Sequence, residues 1–208
     1  ALMDLFCNYN SLTTLDVTSN TALTYLNYRD NSLNTVDVSN NTALTALVCS
    51  NNQLTSLDVS SNTALYSLAC GYNNITSLDV SSNTALTDLS CQDNELTYLN
   101  MKNGVTDALT TFNATNNDSL ECIETLDPDY ATTNWTNANS NIDEGVTFSV
   151  ICGSEDQDVW YVATTGSDGG AGTQESPFAT IQTGINAAGN GNTVQRSFPA
   201  EGIKWFLR

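Results

Sequence analysis

Apolar positions recur along the first half of the chain with a fixed step. In residues 43–63, A-L-T-A-L-V-C-S-N-N-Q-L-T-S-L-D-V-S-S-N-T, Leu44, Leu47, Cys49, Leu54, Leu57 and Val59 alternate with Thr, Ser, Asn and Asp. Copies begin at Ala1, Ala22, Ala43, Ala64 and Ala85, each 21 residues after the last. A unit this short cannot bury its own apolar side, so a fixed period implies coils stacked into a solenoid. The period-two alternation around Leu5-Phe6-Cys7 and its equivalents predicts one short strand per copy. Stacked copies then form a parallel sheet with strands about 4.8 Å apart. In that sheet Leu2, Leu5 and Cys7 point inward, and Asp4, Phe6, Asn8 and Tyr9 point out. The inner columns read Leu5, Leu26, Leu47, Leu68, Leu89 and Cys7, Tyr28, Cys49, Cys70, Cys91. Leu12-x-x-Leu15-x-Val17 and its copies supply the inward residues of the opposite side, where extended or turn structure is expected.

Polar residues repeat as strictly. Asn10, Asn31, Asn52, Asn73 and Asn94 follow the strand, where a buried amide can both donate to and accept from the backbone of neighbouring coils; the column is structural. Asn20, Asn41, Asn62 and Asn83 sit in the S-x-N-T turn, a corner that suits the tolerance of Asn for left-handed backbone. Asp16, Asp37, Asp58 and Asp79 form the one repeated charge, continued by Asn100. Carboxylates about 5 Å apart repel unless each is used locally or they share cations. Local acceptance of N–H bonds in the D-V-S turn is the main reading, and a calcium ladder is the minority one. After Leu96, Leu99 and Met101 the period breaks at K-N-G-V-T-D. A degenerate last coil follows, with Leu109, Phe112, Ala114 and Asn117.

The spacing L-x-x-L-x-C-x-x-N-x-L, carried by Leu44, Leu47, Cys49, Asn52 and Leu54, resembles the leucine-rich repeat over residues 1–126. It is similar to the short repeats of bacterial secreted and surface proteins, loosely to internalins. The resemblance implies a β-rich solenoid, a right-handed superhelix with a parallel concave sheet. From Leu120 the text changes, and residues 127–153 resemble the C-terminal cap of such arrays, with Tyr130, Trp135 and Phe148 suited to covering an open end. That resemblance implies a Cys122–Cys152 disulfide. Cys7, Cys49, Cys70 and Cys91 lie in the inner column and read as small buried hydrophobes. The rival reading, metal ligation, lacks convergent ligands, and the chain has no histidine.

Residues 154–208 begin differently. A strand at Val159 to Ala163, a Gly-rich loop and an amphipathic helix with Phe178, Ile181 and Ile185 on one face are expected, with Ser176-Pro177 opening the helix. This resembles the start of a pectate-lyase-like right-handed parallel β-helix. The coils of such a domain do not follow. Gln195 to Arg208 instead holds Arg196, Lys204 and Arg208, so the tail reads as an incomplete, truncated α/β segment.

Composition narrows the partners. Five Lys plus Arg against 23 Asp plus Glu give a net charge of −18. That excludes nucleic acid, whose binding depends on neutralised phosphates, and disfavours anionic membranes. It also suits a soluble secreted protein with no charge-specific role. No apolar run is long enough to span a bilayer, and no signal peptide is visible at Ala1. A first coil that opens mid-motif is an edge, so self-association through that coil or through the tail is expected. Secretion or cell-surface display by a bacterium is the expected setting, and no cofactor is expected beyond the minority calcium reading.

Catalysis is not expected. Without His the usual Ser or Cys machinery has no base, and a carboxylate repeated in nearly every coil is scaffold rather than one site. D-G-G-A-G lacks the G-K-[ST] continuation of a phosphate cradle. What varies between copies is the outward strand face. Small residues in coils three and four predict a shallow trough, bounded by Phe6, Tyr9 and Tyr25 on one side and Asp88 and Asp93 on the other. Phe6, Tyr9, Tyr25, Arg29, Tyr72, Asp88 and Asp93 are the candidate contacts for a protein or glycan ligand. The alternative is a spacer that presents a carbohydrate-active β-helix.

Overall fold

A computed structural model describes residues 1–152, 159–163, 166–167, 169–171, 177–187, 193–196 and 203–206. The chain divides into two units, Ala1–Phe148 and Ser149–Arg208.

In the first unit the period-two segments are strands: β1 (Asp4–Phe6), β2 (Tyr25–Asn27), β3 (Ala46–Val48), β4 (Ser67–Ala69), β6 (Asp88–Ser90) and β8 (Thr111–Asn113). They form one six-stranded parallel sheet in the order β1-β2-β3-β4-β6-β8. The register is set by the repeat: Leu5 faces Leu26, then Leu47, Leu68, Leu89 and Phe112 in turn. A slip of one residue would turn this whole column to solvent, so the apolar alternation fixes the stacking. On the opposite side β5 (Ser77–Asp79), β7 (Tyr98–Asn100), β9 (Cys122–Glu124) and β10 (Thr147–Ser149) make a second sheet in the order β10-β9-β7-β5. Earlier coils turn there without a strand, as the Thr- and Ser-rich text suggests.

The core is the space between the two sides. Leu26, Leu47, Leu68 and Leu89 are buried, as are Tyr28, Cys49, Cys70 and Cys91. Truncating an interior leucine such as Leu47 to Ala removes contacts to both neighbouring coils, at about 2–5 kcal/mol. The first coil departs from the expected pattern. Leu2 is 43% exposed, and Leu5 and Cys7 are only half-buried.

The strand-end asparagines behave as expected, and in detail. Asn52 Nδ2 donates to the carbonyls of Tyr28, Cys49 and Ser50, and its Oδ1 accepts from Leu33 N–H at 3.0 Å. Asn31, Asn73, Asn94 and the degenerate Asn117 repeat the pattern. Asn10, in the first coil, reaches only carbonyls of its own turn. The other asparagine column needs a correction: none of Asn20, Asn41, Asn62 or Asn83 has left-handed backbone. Asn62, fully buried, instead donates to the carbonyls of Val38 (3.0 Å) and Asn41 (2.9 Å), and Asn41 and Asn83 do likewise. Their Oδ1 atoms are buried and make no hydrogen bond among the described residues. Within the repeats the left-handed positions lie elsewhere, at Tyr9, Asp30, Asn51, Tyr72, Asp93 and Asn116, one residue before each strand-end asparagine.

The far end of the array is closed by a cap. Helix α1 (Pro128–Asn134) starts at Asp127, whose carboxylate accepts from Tyr130 N–H at 2.9 Å, with proline in the first turn where a missing N–H costs nothing. Trp135 is buried against Phe112, with ring centroids 4.5 Å apart, and Tyr130 and Phe148 meet its edges. The cap also supplies the bonds that a further coil would make. Asp143 accepts from both Asn116 and Asn117 N–H at 2.8 Å, and Asn141 joins Ala114 and Phe112 through backbone and side chain. Cys122 and Cys152 are disulfide-bonded, and Cys7, Cys49, Cys70 and Cys91 are free.

The second unit holds β11 (Val159–Val162), helix α2 (Ile181–Ala187), β12 (Thr193–Arg196) and β13 (Ile203–Phe206). β12 runs parallel to β11 and antiparallel to β13, a strand pair that the sequence between Gln195 and Arg208 did not announce. The expected apolar helix face is not formed as drawn. Phe178 precedes the helix and is buried with Val150, Ile151 and Val162, whereas Ile185 is 38% exposed. Ser176, the expected helix cap, and Arg208 lie outside the described residues. No helix of the described residues is long and apolar enough to cross a membrane.

Candidate functional site: the outward face of the six-stranded sheet

On the outward face Phe6 and Tyr25 project from adjacent strands and stack, with centroids 4.9 Å apart and planes at 30°. Phe6 is 65% exposed and Tyr9 71%, so the pair and its neighbour form a solvent-facing aromatic patch. Arg29 lies beside them and is held by Asp30, Nε to Oδ2, at 2.9 Å. Tyr72 is 51% exposed and stands apart from that patch, three coils along from Tyr9. Asp88 and Asp93 lie on the next coil. Asp88 accepts from the Thr87 and Thr110 hydroxyls at 2.8 and 3.2 Å, and the Thr87 hydroxyl is the main reason its carboxyl ionises below the usual range. Asp93 accepts from Asn116 Nδ2 at 3.0 Å. The seven candidates therefore share one face but do not converge on one pocket.

The expected trough is only half open. Ala46 and Ser50 are buried in its floor in coil three. In coil four, however, Gln92 lies over Gly71. A Cβ on Gly71 would sit 2.8 Å from Gln92 Cδ and 2.9 Å from its carbonyl oxygen, so only glycine admits that side chain.

One feature of this face was not foreseen. Tyr9 (φ 54°) and Tyr72 (φ 59°) occupy the left-handed position that Asp30, Asn51, Asp93 and Asn116 fill in other coils. That conformation costs an L-residue roughly 1–2 kcal/mol, and Asn and Asp accept it most readily because their short side chains bond locally. Asn51 Nδ2 also bonds across to the adjoining coil, reaching Asp30 Oδ1 at 2.6 Å. The two tyrosines recover nothing comparable through burial. A large ring at a turn position of the Asn/Asp type was the available signal, but the sequence alone placed the left-handed corner at the wrong asparagine.

The repeated acids sit away from this face. Asp16, Asp37, Asp58 and Asp79 each accept from the backbone N–H two residues on, at 2.8–3.0 Å. The hydroxyl of Thr18, Ser39 or Ser60, followed by that N–H, lowers the carboxyl pKa of the first three. Asn100 makes the same turn to Lys102 N–H at 3.0 Å and donates to Asp79 Oδ2 at 3.2 Å. Among the described residues no group of three or more His, Cys, Asp or Glu converges as a metal site.

Sequence reasoning also missed a buried polar cluster. Lys102 meets Glu124 at 2.7 Å, and Tyr98 donates to the same carboxylate at 3.1 Å. Burial, then the Glu124 charge, raises the Tyr98 phenol. Lys102 is one of only two cations before residue 196, and a lone cation in so acidic an array was the clue. The inner thiols are a separate matter. Burial pushes Cys49 and Cys91 up to about 12 and raises Cys70, so they stay protonated and unreactive at neutral pH.

A strand at the second leucine of each L-x-x-L, one coil per 21 residues and an asparagine bridging each pair of coils decide the architecture. The first unit is a leucine-rich repeat solenoid. No family model matches the chain, and no curated protein matches it. Among solved structures it is similar to the functional domain of InlJ from Listeria monocytogenes, described as including a cysteine ladder. That similarity has 34% identity over 60% of this chain and 34% of that one, with a TM-score of 0.45. It is also similar to the leucine-rich repeat protein LIC12759 of Leptospira interrogans, at 22% identity over 60% of this chain and 31% of that one, again with a TM-score of 0.45. The chain spans about a third of the length of each.

Proposed function

We propose that the solenoid is a non-catalytic recognition module that binds another macromolecule, protein or glycan, through the outward face of the six-stranded sheet. The carrying observation is the contrast between columns. The inward leucine column and the asparagine and aspartate turn columns keep nearly one residue type because each copy must meet the same neighbours and backbone groups. The outward positions change from coil to coil and include Phe6, Tyr9 and Tyr72, each more than half exposed. Exposed rings that do not serve folding suit the anchors of an interface. The Cys122–Cys152 disulfide is consistent with an oxidising setting, which supports secretion or display at a cell surface. Pull-down from candidate partners, together with a glycan array, tests the reading with the whole chain. Replacing Tyr25 and Arg29 by Ala is expected to abolish a hit, and a hit that survives both would move recognition off this face. No hit in either format favours a spacer.

A further inference from the structure

An asparagine followed by glycine is open to attack by the chain on its own side chain, because no Cβ shields the following nitrogen. The chain contains two such pairs, Asn103-Gly104 and Asn190-Gly191, and the second lies outside the described residues. Asn103-Gly104 falls where the 21-residue period breaks.

Four asparagines among the described residues close one kind of turn, in which the side-chain oxygen accepts from the N–H two residues on. Asn27 accepts from Arg29, Asn100 from Lys102, Asn113 from Thr115 and Asn103 from Val105, at 3.0–3.3 Å. The ring so closed brings the amide carbon, Cγ, round to the nitrogen of the residue between. In three of the four that nitrogen is locked. Tyr28 N–H donates to the Val48 carbonyl at 3.0 Å, Met101 N–H to Glu124 and Ala114 N–H to Asn141, both at 2.7 Å. Gly104 N–H makes no hydrogen bond among the described residues. Gly104 is exposed at φ 77°, with no atom within 4 Å of where a Cβ would stand. The Asn103 side chain is buried and held, while the nitrogen beside it is open to water.

The amide itself is poorly retained. Asn103 Nδ2 reaches the Asn83 carbonyl at 3.4 Å, whereas Asn41 Nδ2 reaches two carbonyls at 2.8 and 3.0 Å. Val105 N–H points at Asn103 Oδ1, where negative charge gathers when Cγ is attacked, and a donor fixed there stabilises it.

We propose that Asn103 is a self-modification site, at which the folded chain converts its own amide to an acid and so weakens the joint between the fifth coil and the last. The Gly104 nitrogen gives its proton to water and bonds to Asn103 Cγ. The Cγ–Nδ2 bond breaks, and Nδ2 takes a proton back and leaves as ammonia. Water then opens the cyclic imide at either carbonyl, leaving aspartate or isoaspartate. One water is consumed, one ammonia is released, and nothing is oxidised or reduced. The product carries a charge where a buried amide stood, and the Asn83 carbonyl loses that donor.

The test ages the whole chain, disulfide intact, in mildly alkaline buffer and follows each asparagine by peptide mapping, which separates residue 103 from residue 190. A gain of about 1 Da is expected at Asn103 about tenfold faster than at Asn27, Asn100 or Asn113, whose following N–H groups must first leave their bonds. Both aspartate and isoaspartate should appear there, the mark of a cyclic imide. Asn103→Gln, which would have to close a larger ring, should show no gain at that position over the same period. Aged chain, separated by its added charge, should melt below fresh chain.

Equal rates at the four asparagines would overturn the proposal. So would an unchanged Asn103 in the folded chain beside a converted one in urea, because the fold would then protect the pair. Aspartate without isoaspartate would mean direct hydrolysis and overturn the attack by Gly104. An equal Tm for aged and fresh chain would overturn the weakening of the joint.

Discussion

Two asparagine columns run through the solenoid with the same period, and they do different work. Asn52 uses both ends of its amide: three carbonyls take its N–H groups, and Leu33 N–H reaches its oxygen. Asn62 uses one end, giving its N–H groups to Val38 and Asn41 while its oxygen stays buried and unpaired. A repeated letter thus marks a repeated backbone need, but how many groups it serves depends on what the turn places around it.

Removing each amide sharpens that difference, and the largest effect is expected at the fully used one. Asn52→Ala leaves the buried Leu33 N–H without a partner and takes one of two donors from each of three carbonyls, and should lower unfolding stability by about 2–3 kcal/mol. Asn62→Ala takes one of two donors from the Val38 and Asn41 carbonyls, which keep the N–H groups of Asn41 and Leu44, and also removes an unpaired acceptor, so about 1 kcal/mol is expected. Chemical denaturation of both variants measures the gap, and equal losses would mean that the Asn62 oxygen is satisfied after all.

Tyr28 carries the next effect, with the opposite sign. It stands in the cysteine column, fully buried, and its hydroxyl makes no hydrogen bond among the described residues. Tyr28→Phe keeps the ring and removes the unpaired group, so Tm should rise, by about 1 kcal/mol in stability. A fall in Tm would identify the hydroxyl as bonded.

The smallest effect belongs to the turn aspartates. Asn100 already makes the same turn without a charge, so Asp37→Asn should leave Tm at pH 7 nearly unchanged. Its signature lies in pH. The folded Asp37 carboxyl is held low by Ser39, so its contribution is present above the unfolded pKa of about 3.9 and is lost as pH falls through the lower folded value. An acid titration of Tm should therefore be flatter in Asp37→Asn as pH falls below about 4. Neither calcium nor chelator is expected to move Tm, because each carboxylate is already used within its own turn. A calcium-dependent rise would revive the cation ladder.

Scaffold was more legible in the sequence than site, for a physical reason. Leu47, Cys49 and Asn52 meet the same neighbours in every coil, so burial and backbone pairing write the same letters each time. The left-handed corner was assigned to Asn62 on residue type, because nothing local separates one turn asparagine from another. Its true place shows only when Asp30, Asn51 and Asp93 are aligned with Tyr9 and Tyr72. Gln92 leaning over Gly71 and Lys102 reaching Glu124 were out of reach for another reason: both contacts join separate coils through side chains whose direction no period encodes. The outward candidates share one face of the sheet, where Phe6 and Tyr25 stack and Tyr9 N–H bonds to the Arg29 carbonyl.

The 21-residue step also makes the solenoid a ruler, graduated in coils. Hydrogen bonds of the strand-end asparagines run between one coil and the next, so removing residues 43–63 would rejoin like with like: Asn73 would reach the carbonyl of Tyr28 as it now reaches that of Cys49. The scaffold would shorten by one graduation while Tyr9 and Tyr72 moved from three coils apart to two, about 10 Å. Length in this architecture can change in whole steps without a new core, and with each step so does the spacing of whatever the face can hold.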